Sequence, residues 1–343
     1  MESSSCCGSF LSNVDRFVLS VTPDVPSHTL DLQSCSHEVN NQWLPLGKDP
    51  VECFALKDLW EFYEKWSALG AGTPILLENG DAVTQYYVPY LSSIQIYTNK
   101  SVAASRNRKE DNDATEFESD SWSEDDSGSS DILSRSVSNN SSKAWDAASL
   151  GSSSDQLSPS PNRDMLGYLY LQYTETSPPS SRVPFSEKIT ELAKSHPALM
   201  TLKSVDVSPA SWMAVAWYPI YCIPNHQPSE KDLSACFLTY HTLSSSFQDC
   251  KNNYEDIDIG KDISCFEEWE GVGKKRKENN SGFVSLSPFG MASYKMEKTF
   301  WLNSSECGNE RILEMFSAAD SWLKQLNVHH HHDFNFFTLR NPL

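Results

Sequence analysis

One stretch of this chain cannot build a core, and it lies near the middle. From about Thr98 to Arg163 the sequence turns to Ser, Asp, Glu and Asn with few aliphatics. Residues 119–160 hold seventeen serines, and residues 101–160 hold twelve acids against five bases. Such a composition buries too little apolar surface to offset the entropy of ordering it. The expectation is a disordered insert over 98–163 that splits one folded domain into 1–97 and 164–328, followed by a His-rich tail, 329–343.

Residues 101–160 carry a net charge of −7 out of −19, so the rest of the 343 residues is itself acidic at −12. Nucleic-acid binding through bulk charge is therefore not expected, because phosphate contacts need a surplus of Lys and Arg on one face. Apolar residues at 39% and aromatics at 11% argue against full disorder, collagen-like repeats and a membrane-embedded protein. Nine cysteines with no C-x-x-C pair suit neither a disulfide framework nor a zinc ribbon, and imply reduced thiols in cytosol or nucleus. Cys6, Cys7 and Asp15-Arg16 interrupt the apolar run a secretory signal needs. Trp212 to Ile223, the longest nearly apolar run, contains Pro219 and is too short to span a bilayer, so no membrane association is expected.

Apolar periodicity predicts the elements. Phe10/Leu11, Val14, Phe17/Val18 and Val21 recur at helical spacing up to Pro23, and residues 24–50 read as coil. Leu56, Leu59/Trp60, Tyr63 and Trp66 mark a second helix that stops at Gly70. Val83 to Tyr97 reads as two short strands broken at Pro89. After the insert, Met165 to Tyr173 alternates as a strand, and Ile189, Leu192/Ala193 and His196 predict a helix ended by Pro197. Trp212 to Ile223, Ala235 to Leu243 and Phe283 to Trp301 are strand-like, and a last helix runs from about Arg311 to Asn327. Helices towards the ends with strands grouped between them predict an α+β fold, a largely antiparallel sheet flanked by helices.

Several aromatic segments carry a family resemblance. Asp58-Leu-Trp-Glu-Phe-Tyr-Glu-Lys-Trp-Ser-Ala-Leu-Gly-Ala-Gly-Thr-Pro74, Gln85-Tyr-Tyr-Val-Pro-Tyr-Leu91, Ser208-Pro-Ala-Ser-Trp-Met-Ala-Val-Ala-Trp-Tyr-Pro-Ile-Tyr221, Ala235-Cys-Phe-Leu-Thr-Tyr-His241 and Pro288-Phe-Gly-Met-Ala-Ser-Tyr-Lys295 occur in that order. Together they resemble an uncharacterised plant family, catalogued as domain of unknown function seven-eight-nine. The resemblance covers most of the chain outside the insert and implies a shared fold, with no activity, cofactor or catalytic residue to carry over. The chain departs from the family pattern at Cys222, where a basic residue is common. It departs again at Thr174-Glu-Thr-Ser-Pro178, usually more aromatic and acidic, and in the coil at 30–42.

No motif names a reaction. Gly271-Val-Gly-Lys274 lacks the leading Gly (Glu268) and trailing Ser/Thr (Lys275) of a phosphate loop, and Ser208–Ser211 is a turn rather than a strained nucleophile elbow. Trp212, Trp217, Tyr218, Tyr221, Tyr240 and His241 form the densest aromatic set, on two strands expected to be neighbours. They either line a pocket that stacks a planar ligand or fill the core. Cys236 and His241, five apart on a strand, fall on opposite faces and do not make a nucleophilic dyad. His329 to His332 could hold a metal adventitiously, but no dedicated metal site and no cofactor are expected.

Lys274, Lys275, Arg276 and Lys277 form the one basic block, readable as a nuclear-import signal or as a solvated loop. Ser121 and Ser123, each three residues before an acid, Ser152 before Asp155, and the Ser-Pro sites Ser158 and Ser160 are candidate phosphorylation positions. The favoured reading is a non-enzymatic interaction or regulatory protein of nucleus and/or cytosol, with protein partners and with kinases acting on the insert. The alternative is an enzyme or small-ligand binder with its site around Trp217 and His241.

Overall fold

Helix α1 (Asn13–Ser20) opens on a reciprocal cap. The Asp15 N–H donates to Ser12 Oγ at 3.1 Å, and the Ser12 N–H donates back to the Asp15 carboxylate at 3.1 Å. Strands β1 (Asp24–Pro26), β2 (His28–Leu30) and β3 (Val51–Cys53) follow. The first two lie where the sequence reads as coil, because three-residue strands leave no periodicity to detect. Helix α2 (Leu56–Leu69) buries Leu56, Leu59, Trp60 and Tyr63, the predicted stripe. It ends at Gly70, whose φ of 82° is costly for any residue with a Cβ and whose N–H closes on the Trp66 carbonyl at 2.8 Å. Then come β4 (Ala71–Leu76), β5 (Ala82–Thr98), β6 (Tyr168–Thr174), α3 (Phe185–Ser195), β7 (Trp212–Ile223) and β8 (Cys236–Thr242). The C-terminal part adds β9 (Phe283–Ser285), β10 (Gly290–Tyr294), α4 (Lys298–Trp301), α5 (Glu306–Gln325) and α6 (His332–Arg340).

This computed structural model describes residues 11–30, 43, 51–99, 166–224, 233–247, 282–302 and 306–340. They belong to one compact unit drawn from Met1–Ala103 and Pro161–Leu343. The main sheet is antiparallel, with β10-β8-β7-β5 side by side. The far edge of β5 is shared by β4, opposite residues 82–87, and β6, opposite 93–98. The fold is thus α+β with flanking helices, as the element pattern predicts. Strand β1 pairs with β9 and β2 with β3 as separate two-stranded ladders. Among the described residues, no helix is long and apolar enough to cross a membrane.

Three readings need correction. The expected pair of strands around Pro89 is one strand of seventeen residues. Pro89 falls between the β4 and β6 ladders, where residues 88–92 have no strand partner on that edge, so a missing N–H breaks no ladder there. Phe283 to Trp301 is two strands and a short helix rather than one strand-like run. The C-terminal residues are not a tail: α6 buries Phe334 and Phe337 against the sheet, apolar burial that the four histidines before them mask in the sequence.

The period-two alternation of β7 and β8 divides the core. Met213, Val215, Trp217 and Phe237 face a large cluster with Phe17 of α1, Leu59 and Tyr63 of α2, and Phe185 of α3. Phe17 is its hub, stacked on Phe237 at 4.0 Å and edge-on to Tyr87 at 5.1 Å. Trp212, Ala214, Ala216, Leu238 and Tyr240 face the other way, against Ala319 and Leu323 of α5 and Phe334 and Phe337 of α6. Helix α5 rests directly on β10: a Cβ at Gly290 would lie 3.0 Å from both the backbone N and the Cβ of Ala319.

Candidate functional site

The six aromatic and histidine candidates do sit on adjacent strands, since β7 pairs with β8 from Trp212↔Thr242 to Trp217↔Phe237. They do not form one cluster. Trp217 and His241 project to the face of α1–α3, and Trp212, Tyr218 and Tyr240 to the face of α5–α6. Tyr221 lies beyond the covered part of the sheet, 47% exposed and stacked on Tyr86 at 4.5 Å, with its hydroxyl donating to the Leu69 carbonyl at 3.1 Å. The parity that separates Cys236 from His241 also separates Trp212 from Trp217, and this was readable from residue numbers alone.

On the first face, Trp217, Thr239 and His241 form a closed relay. The Trp217 Nε1–H donates to Thr239 Oγ1 at 2.9 Å, and Thr239 Oγ1 lies 2.9 Å from His241 Nε2. His241 Nδ1 is 3.0 Å from the Leu286 carbonyl, which can only accept, so Nδ1 carries the proton and Nε2 accepts from the Thr239 hydroxyl. Burial pushes the His241 imidazole down to about 4, against the opposing pull of the Leu286 carbonyl, and it is neutral at pH 7. Every side-chain nitrogen and oxygen of these three residues is thereby hydrogen-bonded.

The second face holds charged groups that sequence reasoning missed. Arg182, in the segment leading to α3, donates from both terminal nitrogens to the two Asp333 oxygens at 2.8 and 2.6 Å, and from Nε to the Ser177 carbonyl at 2.9 Å. Both side chains are nearly excluded from water, at 3% and 6% exposure. Ser92 of β5 donates to Asp333 at 2.5 Å, and the guanidinium carbon lies 5.9 Å from the centre of the Tyr218 ring. Burial opposes the Arg182 charge, but the hydrogen bonds and charge of Asp333 outweigh it and hold the pKa above its ordinary value. Burial lifts the Tyr218 phenol above its ordinary range, and the Asp333 charge adds to the effect.

Nearby, Glu175 accepts from the Tyr173 hydroxyl at 2.7 Å and from the Thr176 and Ser177 N–H groups at 2.9 and 2.8 Å. These hydrogen bonds outweigh its burial and hold its carboxyl below the usual range. His331, expected in a tail, is 1% exposed beneath Trp212 and Tyr240. Only its neighbours in space distinguish it from His329 and His330, and a run of four histidines carries no signal of which one is buried.

The basic block 274–277 and the serines at 121, 123, 152, 158 and 160 lie outside the described residues. The Ser208–Ser211 turn is present, with the Ser211 N–H donating to the Ser208 carbonyl at 2.8 Å and its Oγ accepting from the Tyr97 N–H at 3.0 Å. No curated protein matches the chain, and no solved structure does. A family model described as a protein of unknown function, DUF789, matches residues 12–337. With that match spanning the sheet, both sets of helices and the buried Arg182–Asp333 pair, the chain belongs to the DUF789 family.

Proposed function

We propose that the chain is a non-enzymatic interaction or regulatory protein of nucleus and cytosol, whose acidic serine insert is phosphorylated and displayed from a stable α+β platform. One observation carries the reading. Thr98 and Tyr168 face each other as the last pair of the β5–β6 ladder, so the two ends of the connection between these strands are held side by side. A connection anchored in this way changes length at little cost to the sheet, because loop-closure entropy grows only logarithmically. The closeness of the two anchor residues supports reading the serine-rich segment between them as one used for modification and recognition. Each phosphate would add about −1.5 to −2 charge to a segment already at −7. The basic block at 274–277 supports nuclear entry. A ligand site at Trp217 and His241 draws less support, because the polar atoms there are already engaged within the protein.

The test compares the intact chain with one lacking residues 101–160, by affinity purification and quantitative mass spectrometry from native tissue. Partners lost with the insert, and lost again when Ser121, Ser123, Ser152, Ser158 and Ser160 are changed to alanine, are the expected result. Identical partner sets for all three forms would sink the reading. The shortened chain should itself fold, with stability raised by about 2 kcal/mol through the smaller loop. Loss of the cooperative unfolding transition would show that the insert belongs to the fold.

A further inference from the structure

Buried polar atoms without a hydrogen-bond partner are rare in native proteins, and each requires an explanation. On the sheet face beneath α6, two occur in neighbouring side chains. Tyr240 is 0% and His331 1% exposed. Their ring centroids are 5.7 Å apart, and Trp212 stacks on both, at 5.8 and 6.1 Å. Neither the Tyr240 hydroxyl nor His331 Nε2 has a hydrogen-bond partner among the described residues. The buried phenols of Tyr63 and Tyr87 share this state, but neither ring packs on a second unpartnered one.

The protonation of the pair follows from its contacts. The Phe334 N–H donates to His331 Nδ1 at 3.3 Å, so Nδ1 offers its lone pair and the proton resides on Nε2. The site therefore presents one N–H donor and one hydroxyl able to accept or donate. Burial keeps both groups neutral at pH 7: it lowers His331 to about 4 and raises Tyr240, with the charge of Asp333 opposing the first shift and adding to the second. Arg182 and Asp333 compensate each other, and the rings of Trp212, Phe289 and Phe334 lie against Tyr240.

We propose that Tyr240 and His331 form a binding site for one small neutral hydroxylic guest, a single internal water, that accepts the Nε2–H of His331 and hydrogen-bonds the Tyr240 hydroxyl. An ion is disfavoured because the two binding groups are neutral, and an apolar guest would leave both unpaired.

Tyr240→Phe removes one oxygen and keeps the ring, and the sign of its effect is diagnostic. With a guest in place the variant leaves it one partner short, and Tm falls by about 2 to 4 °C. If the hydroxyl is truly unpartnered, its removal raises Tm and overturns the proposal. A high-resolution crystal structure of the unaltered protein gives the second reading. Density within hydrogen-bonding distance of both Tyr240 Oη and His331 Nε2 is the expected result, and close packing without such density refutes the site whatever the melting data show.

Discussion

The two faces of the β7–β8 pair solve the same problem differently. Trp217, Thr239 and His241 come from neighbouring strands in fixed register, with one carbonyl from Leu286 just after β9, and their hydrogen bonds close on themselves. The opposite face joins Ser92 of β5, Arg182 before α3, and His331 and Asp333 at the start of α6. These parts are brought together only by the finished fold. Its charges are locked in a bidentate pair, while Tyr240 and His331 each carry an atom without a hydrogen-bond partner among the described residues. Strand register aligns donors and acceptors at every second residue, whereas segments far apart in sequence must be aligned by packing.

The largest break in this contrast is Asp333→Ala. It leaves the Arg182 guanidinium buried and unpaired and should cost about 3 to 5 kcal/mol by urea unfolding. The double variant Arg182→Met/Asp333→Leu should recover most of that loss, because an apolar pair of similar volume carries no desolvation penalty. Equal instability of the single and double variants would show that packing of α6, rather than charge, holds this face.

Acid probes both faces at once. His241 and His331 are each held near 4 in the folded protein against an ordinary 6.5, so the unfolded chain binds more protons between those values. Stability should be fully present above pH 6.5 and fall as the pH drops to about 4, by on the order of 3 kcal/mol for each histidine. The groups acting on His331 are Asp333, which favours its protonation, and His332 and Arg182, which oppose it. Removing either imidazole, as His241→Gln or His331→Phe, should abolish about half of the acid loss. An unchanged pH profile in one variant would locate the titration on the other face.

The smallest effect is expected from Thr239→Val, which keeps the side-chain shape but strips the relay of its centre. Trp217 Nε1–H and His241 Nε2 lose their partner together, at about 1 to 3 kcal/mol. A neutral result would mean that the closed network is ornamental to stability and that Trp217 is held by ring packing alone.

Much of the architecture was legible because apolar spacing is a local property. The α2 stripe from Leu56 to Trp66 and its stop at Gly70, the helix ending before Pro197, and the β7 run from Trp212 to Ile223 all follow from periods of 3.6 and 2.0 written in consecutive residues. Pro89 misled because the cost of a proline in a strand depends on whether a neighbouring strand needs its N–H, which the strand itself does not encode. The site was less legible than the fold. Proximity in sequence grouped Trp212 with Trp217 and Tyr240 with His241, and the pleat of the strands divided them.

The sequence by itself determined the α+β class, the family, the acidic segment that cannot build a core, and the runs that become β5, β6, β7 and β8, but not β4. The family rests on the resemblance of the ordered aromatic motifs, and the others rest on composition or on short-range periodicity. Only the tertiary structure decided which side chains meet. Arg182 finds Asp333 across 151 residues, and Ser92 finds the same carboxylate across 241. Nothing local to any of the three announces the pairing. A buried charge is chosen by the environment that removes water from it, and that environment exists only once β5, α3 and α6 are packed together.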